Sequence, residues 1–386
     1  MARPRPEGWR HSHPIYGDSM RRTGFVTHER YFWHDPGPSA GGRRPDGITL
    51  QIAEAADHAE TKRRLLGLLD GTGYSDHLTR LAPRPATIEE VGRFHTSGYI
   101  ARVAELSAAG FGEVGRSAYV GAGTYEIALL SVGGVIIATD AVLDGVVDNA
   151  YALVRPAGHH AEPDRGLGFC IFNNVALAAM HARAARGVGR IAIIDWDVHH
   201  GNGTQVAFDD DPSVLTLSIH QDGRFPSWSG ALDERGDGGG FGSNINVPLP
   251  PGCGHGAYEA TMARVIVPAL TRFRPELIFV ASGYDAGGFD AMAHMMAHSG
   301  TFRSMARSIV EVAVAVGARL VVEHEGGYST YHVPFCGLAV IEELTGIPSG
   351  IADPFATLAD LPYQDLQPHQ AAIIDIAAQF VADVPT

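Results

Sequence analysis

Cysteine is scarce in this sequence, since Cys170, Cys253 and Cys336 are the three cysteines among 386 residues. Three scattered thiols are too few for a disulfide framework and lack the paired spacing of a cysteine-rich zinc knot. Such sparing use of cysteine is typical of proteins in a reducing compartment, so the sequence predicts a cytoplasmic protein.

Positive charge is also in short supply, because 29 Lys and Arg residues stand against 43 Asp and Glu residues, for a formal net charge of −14. A nucleic-acid surface requires a basic patch, so we expect no nucleic-acid partner. The basic start, MARPRPEGWRHSHP, has no apolar core of the kind that a secretory signal needs. We find no apolar run as long as a membrane span, so we expect no membrane partner either.

The chain shows one regular region and no linker. Residues 1–22 are polar and rich in Arg and Pro, which predicts a poorly ordered segment ahead of a single domain over residues 23–386. Short β-branched runs then alternate with stretches of helical periodicity. The runs lie at 150–154, 191–194, 214–219, 277–281 and 319–322, and the helical stretches at 125–145, 174–186, 257–272 and 300–316. Ser299 is the predicted N-cap of the last stretch.

This alternation predicts the fold class. Near-continuous apolar strands separated by helices are typical of a mostly parallel sheet that helices cover on both faces. Right-handed crossovers between such strands give an α/β fold with a single doubly wound domain.

Four of the predicted strands end in polar, titratable residues. The four endings are RPAGHH (155–160), DWDVHH (195–200), SGYD (282–285) and EHEGGY (323–328). In open α/β sheets, ligands bind outside the carboxyl ends of the parallel strands. The four endings therefore predict one functional site at that edge of the sheet.

Two of these endings supply a set of metal ligands. Asp197 and His199 are two residues apart, so their side chains point to the same side of an extended backbone. With Asp285 they offer two carboxylates and one imidazole, which is the layout of a catalytic zinc site with an open position. Iron(II) or cobalt(II) would accept the same ligands. A two-manganese site would need a second acidic cluster beside Asp285, where the chain instead has Gly283 and Gly287.

The other two endings supply groups that suit amide hydrolysis. His159 and His160 are adjacent, and histidine can both take a proton from an attacking water and return it to a leaving amine. Tyr328 follows two glycines and can donate a hydrogen bond to a carbonyl oxygen as negative charge develops there. These residues predict a metal-dependent hydrolase of amides.

The same residues carry a family resemblance. The segments RPAGHHAEPDRGLGFCIFNN (155–174), DWDVHHGNGT (195–204), SGYDAG (282–287) and EGGY (325–328) resemble the histone deacetylase family. The resemblance is to its class II branch, with the bacterial deacetylase-like amidohydrolases nearest, and it runs from about residue 23 to about residue 340. It implies the arginase/deacetylase fold.

The resemblance also implies a role for each site residue. It makes Asp197, His199 and Asp285 the zinc ligands, His160 the general base and acid, His159 its electrostatic partner and Tyr328 the oxyanion donor. It places Asp195 against His159, and Asn202 beside His160. Its substrate tunnel would be lined by Phe169, Phe225, Gly168 and Met292, with Glu113 as the candidate for an acidic residue at the rim.

The resemblance also implies two potassium sites and a position for the side chain of Arg64. A first potassium ion would be bound by Asp195, Asp197, His199, Ser218 and Ile219, in part through backbone carbonyls. A second would be bound by the backbone carbonyls of Phe208, Asp211 and Val214. Arg64 would lie near an inner channel below the zinc, and the alternative of an exposed helix residue stays open.

The sequence thus predicts a zinc-dependent amide hydrolase that removes an acetyl or other acyl group from an acylated amine. Acyl-lysine is favoured over acetylated polyamines, because Met292 is uncharged where a polyamine site would benefit from an acidic side chain. An acetylpolyamine amidohydrolase stays the alternative within this chemistry. A catalytically silent relative that binds acyl-lysine would be expected to lack Tyr328 or a metal ligand. The acyl chain and assembly into a homo-oligomer are left open.

Overall fold

An eight-stranded parallel sheet forms the centre of the computed structural model, which describes residues 20–38, 46–51 and 53–386. The strands are β1 (Thr23–Val26), β2 (Leu78–Leu81), β3 (Phe111–Gly115), β4 (Ala118–Gly121), β5 (Asn149–Ala152), β6 (Ile191–Asp195), β7 (Val214–Gln221), β8 (Asn244–Leu249), β9 (Leu277–Ser282) and β10 (Arg319–His324). The sheet has the order β2-β1-β5-β10-β9-β6-β7-β8, and each neighbouring pair is parallel. Strands β3 and β4 form a separate antiparallel hairpin.

Helices connect the strands and cover the sheet. They are α1 (Glu60–Gly71), α2 (Ile88–Val91), α3 (Ser97–Ala108), α4 (Thr124–Leu143), α5 (Asn174–Arg186), α6 (Asn202–Phe208), α7 (His255–Thr261), α8 (Val267–Phe273), α9 (Ser299–Val316), α10 (Val333–Thr345) and α11 (Pro368–Gln379). A π-helical segment, Met262–Ile266, joins α7 to α8.

The sheet separates two apolar cores, as the alternation of side chains along a strand requires. In β9, Ile278 and Val280 join the core that also contains Ile309 of α9. Their neighbour Phe279 joins the opposite core, which contains Val135 of α4. The prediction of a doubly wound α/β domain with a mostly parallel sheet is therefore confirmed.

The five predicted strands correspond to β5, β6, β7, β9 and β10, and the helical stretch 174–186 coincides with α5. The N-cap prediction for helix α9 was wrong. Ser299 is the first helical residue, and the imidazole of His298 accepts the N–H of Gly300. Histidine with extended backbone can take this position because its ring nitrogen reaches the free N–H groups of the first turn.

Helix α4 departs from the expectation that no apolar run could span a membrane. By length and composition alone this 20-residue helix could do so, but most of it is buried inside the protein. Such all-round apolar character is typical of a core helix. A Cβ atom on Gly133 would lie 1.7 Å from the carbonyl oxygen of Arg84, so glycine is what allows this close packing.

Most of the segment predicted to be poorly ordered, residues 1–19, lies outside the described residues. At its end, the N–H of Arg21 donates to the carbonyl of Thr345, and its guanidinium donates to that of Leu344 at 2.8 Å. The chain therefore enters β1 against the end of α10.

Candidate active site

The four polar strand endings meet in the middle of the sheet. Strands β5, β10, β9 and β6 are consecutive neighbours, and each leads directly into one ending. The loops that follow them carry His159 and His160, Tyr328, Asp285, and Asp197 with His199. The topology thus brings together, as the sequence predicted, residues that are up to 169 positions apart, from His159 to Tyr328.

The three predicted metal ligands form one buried cluster. One donor atom from each of Asp197, His199 and Asp285 lies within 4.8 Å of the other two. The Nδ1 atom of His199 is 3.1 Å from Asp197 Oδ1 and 3.0 Å from Asp285 Oδ2. This is a compact set of one nitrogen and two oxygen ligands, which suits zinc.

Backbone groups orient the two carboxylates. Asp197 accepts the N–H groups of His199 and Gly326, each at 2.9 Å, and Asp285 Oδ1 accepts the N–H of Val198 at 2.8 Å. The other oxygen, Asp285 Oδ2, is buried and accepts no hydrogen bond of regular geometry from the described residues, although Nδ1 of His199 lies 3.0 Å from it. A buried acceptor without a donor is costly, and a cation bound at this oxygen would remove that cost. The residues present therefore fit a divalent metal ion.

The electrostatics of the cluster point the same way. Burial opposes a charged imidazole at His199, but Asp285 and Asp197 outweigh it and raise the pKa of His199 to about 10. Burial and the charge of Asp197 raise the pKa of Asp285. The two carboxylates thus draw positive charge into a buried site, and a divalent cation supplies such charge.

Glycines make room around these carboxylates. A Cβ atom on Gly283 would lie 2.1 Å from Asp197 Oδ2. A Cβ atom on Gly326 would lie 2.6 Å from both Asp197 Oδ2 and Asp285 Oδ2, and 3.1 Å from the hydroxyl of Tyr328. Any larger residue at position 326 would therefore intrude between the carboxylates and the tyrosine.

The two adjacent histidines have different partners. His159 Nδ1 lies 2.8 Å from Asp195 Oδ2, and His160 Nδ1 lies 2.9 Å from Asn202 Oδ1. The amide nitrogen of Asn202 donates to Glu162 at 2.7 Å, which turns the amide oxygen toward His160. His160 therefore donates from Nδ1, and its Nε2 is the atom with a free lone pair.

Their surroundings give the two rings opposite charge preferences. Burial opposes a charge on His159, but Asp195 and Asp197 outweigh it and raise its pKa well above the ordinary value. Burial lowers the pKa of His160 well below the ordinary value, and the nearby His159 and His199 lower it further. Since the ring centroids are 3.9 Å apart, a cationic His159 keeps its neighbour neutral.

Glu325 is a site residue that sequence reasoning did not assign. Its buried carboxylate accepts the N–H of Gly158 at 2.8 Å and lies 3.4 Å from the backbone nitrogen of His159. It also forms a second group of potential ligands with His159 and Cys170. Burial raises the pKa of the Cys170 thiol well above the ordinary value, so this cysteine is a protonated, buried side chain. The sequence signal that could have identified Glu325 is its position two residues beyond Glu323, on the same side of the extended chain.

Tyr328 lies beside the predicted metal ligands and the predicted tunnel residue Phe169. Its ring centroid is 5.7 Å from that of Phe169. Burial, with Asp285 and Asp197 nearby, raises the pKa of Tyr328 well above the ordinary value, so its hydroxyl stays protonated and can donate. Its backbone N–H donates to Asp290 at 2.6 Å, which ties the tyrosine turn to the loop after Asp285.

Two aromatic side chains line the approach to the histidines. The ring of Phe225 is 4.9 Å from that of His160. Gly168 has a positive φ of 51°, and a Cβ atom there would lie 2.6 Å from atoms of both rings. Phe169 also has a positive φ, 69°, which is held by a hydrogen bond from its N–H to the carbonyl of Ser117 at 2.9 Å. A wall built this tightly fits a slender aliphatic chain better than a bulky one.

The two remaining tunnel and rim candidates lie at the surface. Met292 is half-buried, and its carbonyl accepts a hydrogen bond from Arg224 at 2.7 Å. Glu113 is exposed on β3, and its carbonyl accepts a hydrogen bond from Arg102 at 2.7 Å. Arg116, in the same hairpin, contacts the ring of Phe225 and was not predicted as a site residue.

The placement of Arg64 near an inner channel was wrong. Its side chain is 56% exposed and lies 3.6 Å from Glu60. On helix α1 the inward face carries Lys62 instead, whose ammonium donates to the carbonyl of Glu325 at 2.6 Å. A second buried cation, Arg155, donates to the carbonyl of Asp57 at 2.6 Å. Arg64 is two residues from Lys62, and that spacing puts it on the opposite side of a helix.

The residues suggested for potassium lie on or next to β6, α6 and β7. Asp195 and Ser218 are partners in the register of these strands, and Ile219 follows Ser218. The carbonyl of Phe208 accepts the N–H of Asp211 at 3.0 Å, and that of Asp211 accepts the N–H of Val214 at 3.2 Å. Carboxylate, hydroxyl and carbonyl oxygens are ligands that hard cations prefer.

Similar proteins are known for this combination of fold and site. A histone deacetylase domain matches residues 57–344. The chain is 48% identical over 369 residues to a histone deacetylase-like amidohydrolase of Pseudomonas aeruginosa, which covers 93% of this chain and 96% of that protein. It is 33% identical over 346 residues to the polyamine deacetylase HDAC10 of Homo sapiens, covering 87% of this chain and 48% of that protein. The crystal structure of the HDA15 HD domain matches with a TM-score of 0.78 at 27% identity, covering 95% of this chain and 98% of that one.

Proposed function

Because the chain belongs to the histone deacetylase family, whose members hydrolyse acetylated amides, we propose that it removes acyl groups from acyl-lysine at a zinc centre. One observation carries the proposal. The donor atoms of Asp197, His199 and Asp285 cluster within 4.8 Å of one another, and His159 Nε2 is 3.9 Å from Asp197 Oδ1. Metal ligands and a proton-transfer pair thus share one buried site.

Zinc is the ion that this ligand set suits best, and iron(II) or cobalt(II) would bind through the same three residues. When bound, the ion would polarise the substrate carbonyl and lower the pKa of a water molecule. The chain's own contribution is to hold the two carboxylates by backbone N–H groups, so that Asp197 Oδ1 and Asp285 Oδ2 both face Nδ1 of His199.

The proton transfers fall to the histidine pair. His160, neutral and anchored through Nδ1 to Asn202, accepts the proton of the attacking water at Nε2. Its imidazolium then lies beside the cationic His159, and the repulsion between them favours passing the proton on to the leaving amine. The hydroxyl of Tyr328 donates a hydrogen bond to the carbonyl oxygen as negative charge develops there.

Acyl-lysine is the substrate class that we propose, and acetylated polyamines are the alternative. The similarity to a polyamine deacetylase keeps the alternative in view. A polyamine carries a second ammonium beyond the acylated end, so a site selective for it benefits from a carboxylate at the rim. In the loop that follows Asp285, at the position predicted to line the tunnel, this chain has Met292, which is uncharged, between Ala291 and Ala293.

A substrate panel tests the proposal. Acetyl-lysine peptides, longer acyl-lysine peptides, acetylputrescine and acetylspermidine would each be assayed with and without a strong chelator. We expect chelator-sensitive hydrolysis with the highest kcat/KM on a lysine substrate. Turnover of every amide by the chelated protein would reject the metal mechanism, and a tenfold preference for either polyamine would reject the substrate class. A catalytically silent protein would hydrolyse none of them, although Tyr328 and the three ligands are all in place.

Two further proposals rest on the resemblance. We propose that one potassium ion binds beside the zinc site, through Asp195, Ser218 and neighbouring carbonyls, and a second at the carbonyls of Phe208, Asp211 and Val214. We also propose a cytoplasmic location, since the three cysteines are free and buried.

A further inference from the structure

Arg116 places a positive charge at the outer end of the substrate tunnel. It lies in the turn between β3 and β4 and is exposed. Its guanidinium carbon is 5.7 Å from the ring centroid of Phe225 and 5.9 Å from that of Trp228. Phe225 packs against the catalytic pair at one edge, because its centroid is 4.9 Å from that of His160. One ring therefore separates the guanidinium from the reacting centre.

A second arginine borders the same opening. Arg224 directly precedes Phe225, and its Nε donates to the carbonyl of Met292 at 2.7 Å. That hydrogen bond holds the exposed guanidinium at the loop that follows the third metal ligand. The two arginines thus lie on two different loops, and both adjoin Phe225, Arg224 in the sequence and Arg116 through its contact with the ring.

Neither arginine is neutralised by an ion pair with the part of the chain that the structure describes. The ion pairs of the protein involve many other arginines, but Arg116 and Arg224 are not among them. In a chain of net charge −14, a pair of cations without carboxylate partners among the described residues, at the entrance to the site, is a local feature of opposite sign.

We propose that Arg116 and Arg224 form an anion subsite at the tunnel mouth, which selects substrates with a carboxylate next to the acylated side chain. A lysine whose acylated amine reaches His160 would have its α-carbon at the mouth, so a free α-carboxylate would lie near both guanidinium groups. A guanidinium can bind a carboxylate through two parallel hydrogen bonds. The same cations repel the distal ammonium of a polyamine. This inference rests on the proposed function, since it specifies the carrier of the acyl group.

A pair of matched peptides tests the subsite. Both end in Nε-acetyl-lysine, one with a free C-terminal carboxylate and the other with a C-terminal amide. An exposed ion pair typically changes an affinity by up to about fivefold, so we expect the carboxylate peptide to have roughly fivefold higher kcat/KM at low salt. The advantage should fall as salt is added, because the two arginines are exposed and salt screens exposed charges.

Variants assign the effect to the two residues. Arg116→Gln and Arg224→Gln should each reduce the preference, and the double variant should bring the ratio to about one, with the amide peptide less affected. Arg116→Lys keeps the charge and should keep most of the preference, which separates charge from packing on Phe225. Arg307→Gln makes the same change in net charge on the outer helix α9 and should leave the ratio unchanged.

The outcomes distinguish this inference from the proposed function. If both peptides are hydrolysed at equal rates at low salt, the subsite is wrong and the deacylase assignment stands. The same holds if the preference survives in the double variant. If neither peptide is hydrolysed while acetylspermidine is, both the subsite and the choice of acyl-lysine are wrong.

Discussion

The carboxylate of Asp290 holds the backbone of Tyr328, with 2.6 Å between Asp290 Oδ2 and the tyrosine nitrogen. The same oxygen accepts the N–H of Ser329 at 3.2 Å, and Oδ1 accepts the N–H of Met292 at 2.9 Å. Asp290 therefore fixes the turn that carries Tyr328 beside the predicted metal ligands.

Asp290→Ala should lower kcat through the position of Tyr328, and a double-mutant cycle measures this. If the aspartate acts through the tyrosine hydroxyl, Asp290→Ala should cost much less kcat in a Tyr328→Phe background than in the wild type. Asp353→Ala is the matched control, because Asp353 also accepts a backbone N–H, that of Phe355. Equal losses of kcat in the two backgrounds would show that Asp290 supports the fold rather than the tyrosine.

Tyr328→Phe removes one donor and leaves the ring against Phe169. Loss of a single oxyanion donor typically reduces kcat by roughly 10²–10³-fold, and we expect a loss of that size with little change in KM. Thermal unfolding and metal content should match the wild type. Wild-type turnover by the variant would exclude the hydroxyl from the chemistry.

Asn202→Asp should shift the pH profile. His160 acts as a base when neutral, and its pKa is held low by burial and by neighbouring positive charge. A carboxylate in place of the amide would favour the imidazolium and raise that pKa. The acidic limb of kcat/KM should therefore move to higher pH, by about one unit, and activity at low pH should fall. Asn202→Ala adds no charge and serves as the control; an unshifted limb in Asn202→Asp would contradict the role of His160.

Gly326→Ala should weaken metal binding. The added methyl group would lie 2.6 Å from Asp197 Oδ2 and Asp285 Oδ2, so the carboxylates must move apart. We expect the affinity for zinc to fall by at least about tenfold, as it does when the orientation of ligands is disturbed. Gly98→Ala, where an added Cβ meets no atom within 4 Å, is the control. Unchanged zinc affinity in Gly326→Ala would argue against these oxygens as ligands.

The centre of the fold could be predicted because its strands are buried on both faces and therefore read as unbroken apolar runs. Strands β1, β2 and β8 were not predicted. The first two are four residues long, and β8 is an edge strand that contains Pro248. Their pairing depends on the sheet that is already present, which local sequence does not reveal.

The site was predictable for a similar reason. Its predicted ligands and histidines lie next to strands that have unbroken apolar runs, so the topology alone brings them together. The buried cation Lys62 lies on a helix and the exposed Arg116 lies in a turn, where tertiary contacts decide which side chain faces the site. The wrong placement of Arg64 shows this, because Arg64 is two residues from Lys62 and therefore lies on the opposite side of helix α1.

The central claim is that one divalent ion, held by Asp197, His199 and Asp285, carries the hydrolysis. The most direct measurement is back-titration of the chelated protein with zinc, following deacetylation of an acetyl-lysine peptide and bound metal in parallel. Activity should be absent after chelation, rise in proportion to bound zinc and stop rising at one ion per chain, whereas Asp285→Ala should remain folded without regaining activity. Full activity in the chelated protein, or a rise that continues to two ions per chain, would contradict the account.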